Sequence, residues 1–189
     1  MSLAKPLSSI EDADFEFENS SVQVIASRNC PEIELAGLKV GPFEEGREYE
    51  VRFWVAQELK KAGIARFREE ELLDAVSLHK IHWKERVQSV KRLSSLPEDF
   101  YAKLRRYLAG LKAEAAKSAE KMREYEKSVR LAHDIINCRL KKIVSLSSFP
   151  EKTNQFLQDL AMEERILYGR LHQFIDDWRS EILKGGSEP

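Results

Sequence analysis

The sequence predicts an α+β protein that is mostly α: a small N-terminal β-rich domain followed by a helical bundle with long helices. Three observations carry this. Chain breakers crowd the first third (Pro31, Gly37, Gly41, Pro42, Gly46), whereas no glycine falls between Gly63 and Gly110 or between Gly110 and Gly169. Apolar residues alternate with a period of two before residue 53 and recur at steps of three, four and seven after it. Charge divides the same way. Residues 1–50 sum to −7 and residues 51–189 to +6, within a total of −1.

Residues 1–13 carry no pattern and are expected to be a flexible N-terminus. The small domain is expected over 14–52. Phe15 and Phe17 alternate with Asp14, Glu16 and Glu18; Val22, Val24 and Ala26 alternate with Gln23, Ile25 and Ser27; Ile33 and Leu35 alternate with Glu32 and Glu34. Each reads as a half-buried strand. The helical domain is expected over 53–184, starting with a short helix that holds Phe53-Trp54-Val55-Ala56 and ends near Gly63. A second short helix is predicted over 69–80, led by acids, and a third from Trp83 to Leu93.

Pro97-Glu98-Asp99 marks a strong helix start. From there an apolar stripe runs through Phe100, Leu104, Leu108, Leu111, Ala115, Met122, Tyr125 and Val129. It continues through Leu131, Ile135, either Cys138 or Arg139, and Ile143 to Leu146. The pattern fits one helix over 97–148, or two with a kink near Gly110 or Ser128. A last helix is predicted from about Thr153 to Leu183, with Leu171, Phe174 and Trp178 in its stripe, before a flexible tail at 185–189.

The inventory for chemistry is poor. No phosphate loop, dinucleotide fingerprint or nucleophile elbow is present. His79 and His82 share a helix face at i,i+3 but bring no third ligand, so no metal and no cofactor is expected. Asp176-Asp177 and Glu163-Glu164 are neighbours that point to different sides of a helix, and read as solvated faces. The chain is therefore expected not to be an enzyme.

Two cationic spots, Lys103 with Arg105-Arg106 and Arg139 with Lys141-Lys142, could touch nucleic acid only weakly, and an outward-facing helix surface is the reading for both. Cys30 and Cys138 lie outside any CxxC or Cys/His cluster, which fits a reducing, intracellular setting. No apolar run reaches the length of a membrane helix, and no secretory signal is seen at the N-terminus.

What stands out is an excess of apolar surface on long helices. Phe100, Tyr101, Leu104, Tyr107, Leu108, Leu171, Phe174 and Trp178 are the candidate contacts with another subunit, because one helix pair cannot hide them all. A self-contained helical bundle is the simpler alternative.

Several segments carry a family likeness. Gly41-Pro42-Phe43-x-x-Gly46, followed by Tyr49-x-Val51-x-Phe53-Trp54-Val55-Ala56-x-x-Leu59, resembles the domain junction of GINS subunits in which the small domain comes first. Gly41, Pro42 and Gly46 turn the chain there, and Phe43 and Trp54 supply large anchors. Leu96-Pro97-Glu98-Asp99-Phe100-Tyr101 and Arg139-Leu140-Lys141-Lys142-Ile143-Val144 resemble further segments of archaeal GINS subunits.

The resemblance implies a non-catalytic member of a heterotetramer, built with a second, α-first GINS subunit. It also implies binding to the MCM helicase and a RecJ-like protein in DNA replication, in the cytoplasm with the chromosome. A DNA-binding protein or a self-contained helical adaptor is the competing expectation.

Overall fold

The computed structural model describes residues 9–68, 71–87, 93–149 and 157–184. The expected flexible tail, residues 1–8 of the expected flexible start, and the Thr153–Phe156 opening of the last predicted helix lie outside these. The chain is α+β and mostly α. Its contacts divide it into a unit over Glu11–Leu73 and a second unit from Asp74 onward.

In the first unit, helix α1 (Ile10–Asn19) precedes strands β1 (Ser21–Ala26), β2 (Ile33–Leu35), β3 (Leu38–Val40) and β4 (Glu48–Arg52). Helix α2 (Phe53–Lys61) and strand β5 (Ala65–Phe67) complete it. β1 is the centre of an antiparallel sheet of order β4-β1-β5, with Val24 opposite Tyr49 on one side and Phe67 on the other. As the alternation requires, Val22, Val24 and Ala26 are the buried side of β1. β2 and β3 form a separate hairpin, closed by Ala36 and Gly37, both at positive φ (50° and 81°), as the tight turn demands.

The strand expected at 14–18 is a helix. A strand would place Phe15 and Phe17 on one face, but Phe17 is 2% exposed and Phe15 is 68% exposed. Ala13 and Phe17, one helical turn apart, point inward instead. Phe17 packs on Phe53 with ring centroids 4.4 Å apart, and Phe53 packs on Phe67 at 5.3 Å. Glu11 and Asp12 in the first turn suit the helix dipole. Ten residues are too few for periodicity to separate the two structures; the aromatic cluster decides it.

β5 pairs directly with β1, so α2 and β5 are held to the small sheet, and the boundary expected at 52/53 falls inside this unit.

The second unit contains α3 (Ala75–Val87), α4 (Phe100–Ala115), α5 (Ala119–Ser147) and α6 (Met162–Lys184). One continuous α3 runs across the break expected between the short helices predicted at 69–80 and 83–93, of which residues 69–70 and 88–92 lie outside the described residues. Asp74 starts it, accepting the Ser77 N–H at 2.7 Å. The break in the long predicted helix lies at neither Gly110 nor Ser128. It falls before Ser118, whose hydroxyl accepts the Lys121 N–H at 3.2 Å and opens α5.

α5 is the central element and packs against α3, α4 and α6. Leu93, Ile143, Leu160 and Tyr168 form one core cluster, with Leu146, Leu157 and Leu171 packed on it. Among the described residues no helix is long and apolar enough to cross a membrane.

Candidate assembly surface and the polar core behind it

The buried face of α5 reads Ser128, Ala132, Ile135, Arg139, Lys142, Ile143 and Ser147, so four of its seven residues are polar. Arg139 is 0% exposed, Glu85 1%, Glu164 3% and Lys142 4%. The Arg139 Nη1 donates to Glu85 Oε1 at 2.6 Å and to the Ser94 carbonyl at 2.8 Å. Its Nη2 reaches Glu164 Oε2 at 2.7 Å and the Asp159 carbonyl at 3.2 Å, and its Nε donates to Glu164 Oε1. Lys142 Nζ donates to Glu85 Oε2 at 2.9 Å, Ser94 Oγ donates to Glu85, and Tyr101 Oη donates to Glu164 Oε1 at 2.7 Å.

Two cations and two anions thus form a neutral cluster that ties α3, α4, α5 and α6 to the 93–97 segment. Ions this far from water are tolerable only when they are paired and hydrogen-bonded. Glu164 also accepts the Ala161 N–H at 2.9 Å, so the same carboxylate helps to open α6.

The titration properties follow from this packing. Burial opposes the Glu85 charge, but the Ser94 and Lys142 hydrogen bonds and the Arg139 charge outweigh it and hold the carboxyl below its ordinary range. Burial opposes the Arg139 charge as well, yet the Glu164 and Glu85 carboxylates raise its pKa further. Burial, then the neighbouring Glu164 charge, pushes the Tyr101 phenol well up.

This cluster overturns two expectations. Arg139 and Lys142 do not look outward; only Lys141 of that basic spot does. Glu164 is a buried ion partner rather than part of a solvated face. In the other basic spot, Arg105 pairs with Glu163 at 3.2 Å. A signal for the cluster was present in the sequence. Arg139 lies between Ile135 and Ile143, Glu164 between Leu160 and Tyr168, and Glu85 follows Ile81, each at the four-residue spacing of a buried face.

Of the candidate subunit contacts, Phe100 and Leu104 are buried within this unit and cannot face a partner, because α4 lays that side on its own bundle. Tyr101, Tyr107, Leu108 and Leu171 are half-buried. Tyr101 is tied to Glu164, Tyr107 Oη lies 3.3 Å from Ser128 Oγ, and Leu171 packs on the internal core. Phe174 and Trp178 do face outward. With Ile182 they make a stripe at i, i+4 and i+8 that is 70%, 57% and 61% exposed.

The sequence stripe also missed a second exposed row, Ile136, Leu140 and Val144 on α5, one residue out of phase with buried Ile135 and Ile143.

The residues likened to a domain junction all lie within the small unit. Gly41, Pro42, Phe43 and Gly46 connect β3 to β4. Phe43 is buried, edge-on to Tyr49 at 5.0 Å, and its backbone pairs with Cys30. Trp54 is half-buried, and its neighbour Phe53 is the aromatic that fills the core of the small unit.

Cys30 and Cys138 are both free thiols. His82 Nε2 lies 3.4 Å from Asp134 Oδ2. Among the described residues no three His, Cys, Asp or Glu side chains converge as a metal site.

The chain thus has a small β-rich unit with a leading helix and a helical unit with exposed apolar rows. Residues 9–67 match the family model described as the PSF2 N-terminal domain, and residues 54–183 match that of the GINS complex protein helical bundle domain. The chain belongs to the GINS family, as a subunit with the small domain first, and so to the protein class that partners with other GINS subunits in DNA replication. Among its relatives is the human DNA replication complex GINS protein PSF2, 27% identical over 139 residues that cover 73% of this chain and 71% of that one.

Proposed function

We propose that this chain is a non-catalytic structural subunit of a GINS heterotetramer, assembled with a second, α-first GINS subunit, that joins the MCM helicase and a RecJ-like protein at the replication fork, with the chromosome. The observation that carries the assembly is the Phe174–Trp178–Ile182 row on α6. Three large apolar side chains left exposed along one helix face favour a protein-binding role.

The buried ion cluster supports a scaffold role. It locks α3, α4, α5 and α6 in one arrangement and leaves none of its charged groups for chemistry. Sedimentation of the chain mixed with an α-first GINS subunit tests the reading. Wild type forms a sharp higher oligomer, whereas Trp178→Glu stays apart while keeping its own unfolding midpoint. A Trp178→Glu chain that assembles normally excludes this row from the interface.

A further inference from the structure

A different face of the second unit has the features of a binding site. On α3, positions 76, 80, 83, 84 and 87 fall on one side of a helix with about 3.6 residues per turn. They present Val76, Trp83 and Val87, all exposed, together with Lys80 and Lys84. Neither lysine has a carboxylate within ion-pair distance among the described residues; Asp74 feels the Lys80 charge only at longer range. The Glu85 charge beside them is already taken up by Arg139 and Lys142.

The two lysines border a cleft of about 340 Å³ whose other walls are Ile81, Ser94, Ser95, Leu96 and Pro97. The peptide groups of Ser95 and Leu96 make no hydrogen bond among the described residues, so the cleft offers main-chain donors and acceptors as well as charge.

We propose that this α3 face and cleft dock a short acidic segment of a partner protein that carries apolar side chains. Its carboxylates meet Lys80 and Lys84, its apolar side chains cover Val76, Trp83 and Val87 or enter the cleft over Ile81, Leu96 and Pro97, and its backbone pairs with Ser95 and Leu96. Charge complementarity selects an acidic occupant. The apolar share selects a peptide over nucleic acid. A groove that tracks a phosphate backbone needs a run of cations, and among the described residues this cleft has two lysines beside Ile81, Leu96 and Pro97.

The proposal concerns a face separate from the α6 row, and its test does not depend on assembly. The probe is a fluorescein-labelled synthetic peptide repeating Asp-Phe-Glu-Leu, titrated into the full chain and followed by anisotropy. A Lys-Phe-Lys-Leu repeat and a single-stranded oligonucleotide serve as controls.

The acidic peptide binds, its affinity falls with added salt, and Lys80→Glu/Lys84→Glu weakens it by about tenfold or more, as does Trp83→Ala. These side chains are exposed, so circular dichroism of the variants stays that of the wild type. Equal binding to the double variant, binding of the basic repeat as tight as the acidic one, or preference for the oligonucleotide through the same lysines would each overturn the proposal.

Discussion

Arg139 and Glu164, 25 positions apart in the chain, meet as a two-point ion pair: Nη2 lies 2.7 Å from Oε2, Nε donates to Oε1, and both side chains are closed off from water. The planar guanidinium matches the carboxylate and leaves Nη1 free to bind Glu85 and the Ser94 carbonyl. One side chain therefore ties together three helices and the segment at Ser94.

Removing that side chain strands the buried Glu164 carboxylate and leaves Glu85 with Lys142 as its one remaining cation in the cluster. Arg139→Met is expected to cost roughly 3–5 kcal/mol, because the loss of one partner leaves uncompensated charge. Arg139→Lys restores the charge but not the fork, and recovers only part of the loss. Urea unfolding measures both. A change below about 1 kcal/mol for Arg139→Met would mean that the cluster behaves as a solvated surface pair.

Acid should loosen the second unit through Glu85. Its folded pKa is depressed, so its contribution to stability is fully present above the ordinary value of 4.5 and is lost as pH falls through the lower folded value. Wild type therefore loses stability below pH 4.5 more steeply than Glu85→Gln, which starts less stable at neutral pH. At the other extreme, the Tyr101 phenol is raised above its ordinary 10.0. Its contribution is present below that pH and decays above it, and Tyr101→Phe flattens this alkaline limb. Unfolding free energies measured across pH test both signs.

In the small unit, Phe53 rather than Trp54 holds the core. Phe53→Ala is expected to cost roughly 3–5 kcal/mol, as it empties the space between Phe17 and Phe67, and half-buried Trp54→Ala should cost less. Hydrogen exchange should show Glu11–Leu73 losing protection in Phe53→Ala while α5 retains it. The reverse ranking of the two variants would place the anchor at Trp54.

The β2–β3 turn offers a gain. Ala36 holds φ +50° with its side chain exposed, a conformation that costs an L-residue with a Cβ about 1–2 kcal/mol. Ala36→Asn, a residue that tolerates this region, should raise the thermal midpoint of the small unit. An unchanged or lower midpoint would show that the turn relaxes in solution.

Much of the fold was legible in the residues. The alternation of Val22, Val24 and Ala26 gave the central strand, and the Gly41–Gly46 and Tyr49–Leu59 segments carried the family likeness. Phe174 and Trp178 were expected in one stripe with Leu171, and only the structure separates them, leaving the first two exposed and Leu171 packed on the core. Spacing alone could not show that a second apolar row on α5 stays exposed. Ile135 with Ile143 and Ile136 with Leu140 and Val144 are equally good helical stripes, offset by one residue, and periodicity ranks both as core. A bundle can bury only one of them, and it buried the one in register with Arg139 and Lys142.

The sequence by itself determined where helices and strands can run, because glycine, proline and apolar spacing act locally through backbone sterics and side-chain direction. Only the tertiary structure decided which faces turn inward, because that depends on partners distant in the chain. Phe17 is turned inward by Phe53, itself packed on Phe67, and the helix lets it do so while Phe15 stays exposed. Arg139 and Lys142 are internal because Glu85 and Glu164 arrive from 54 and 25 residues away to neutralise them, and a charge without those partners would have stayed in water.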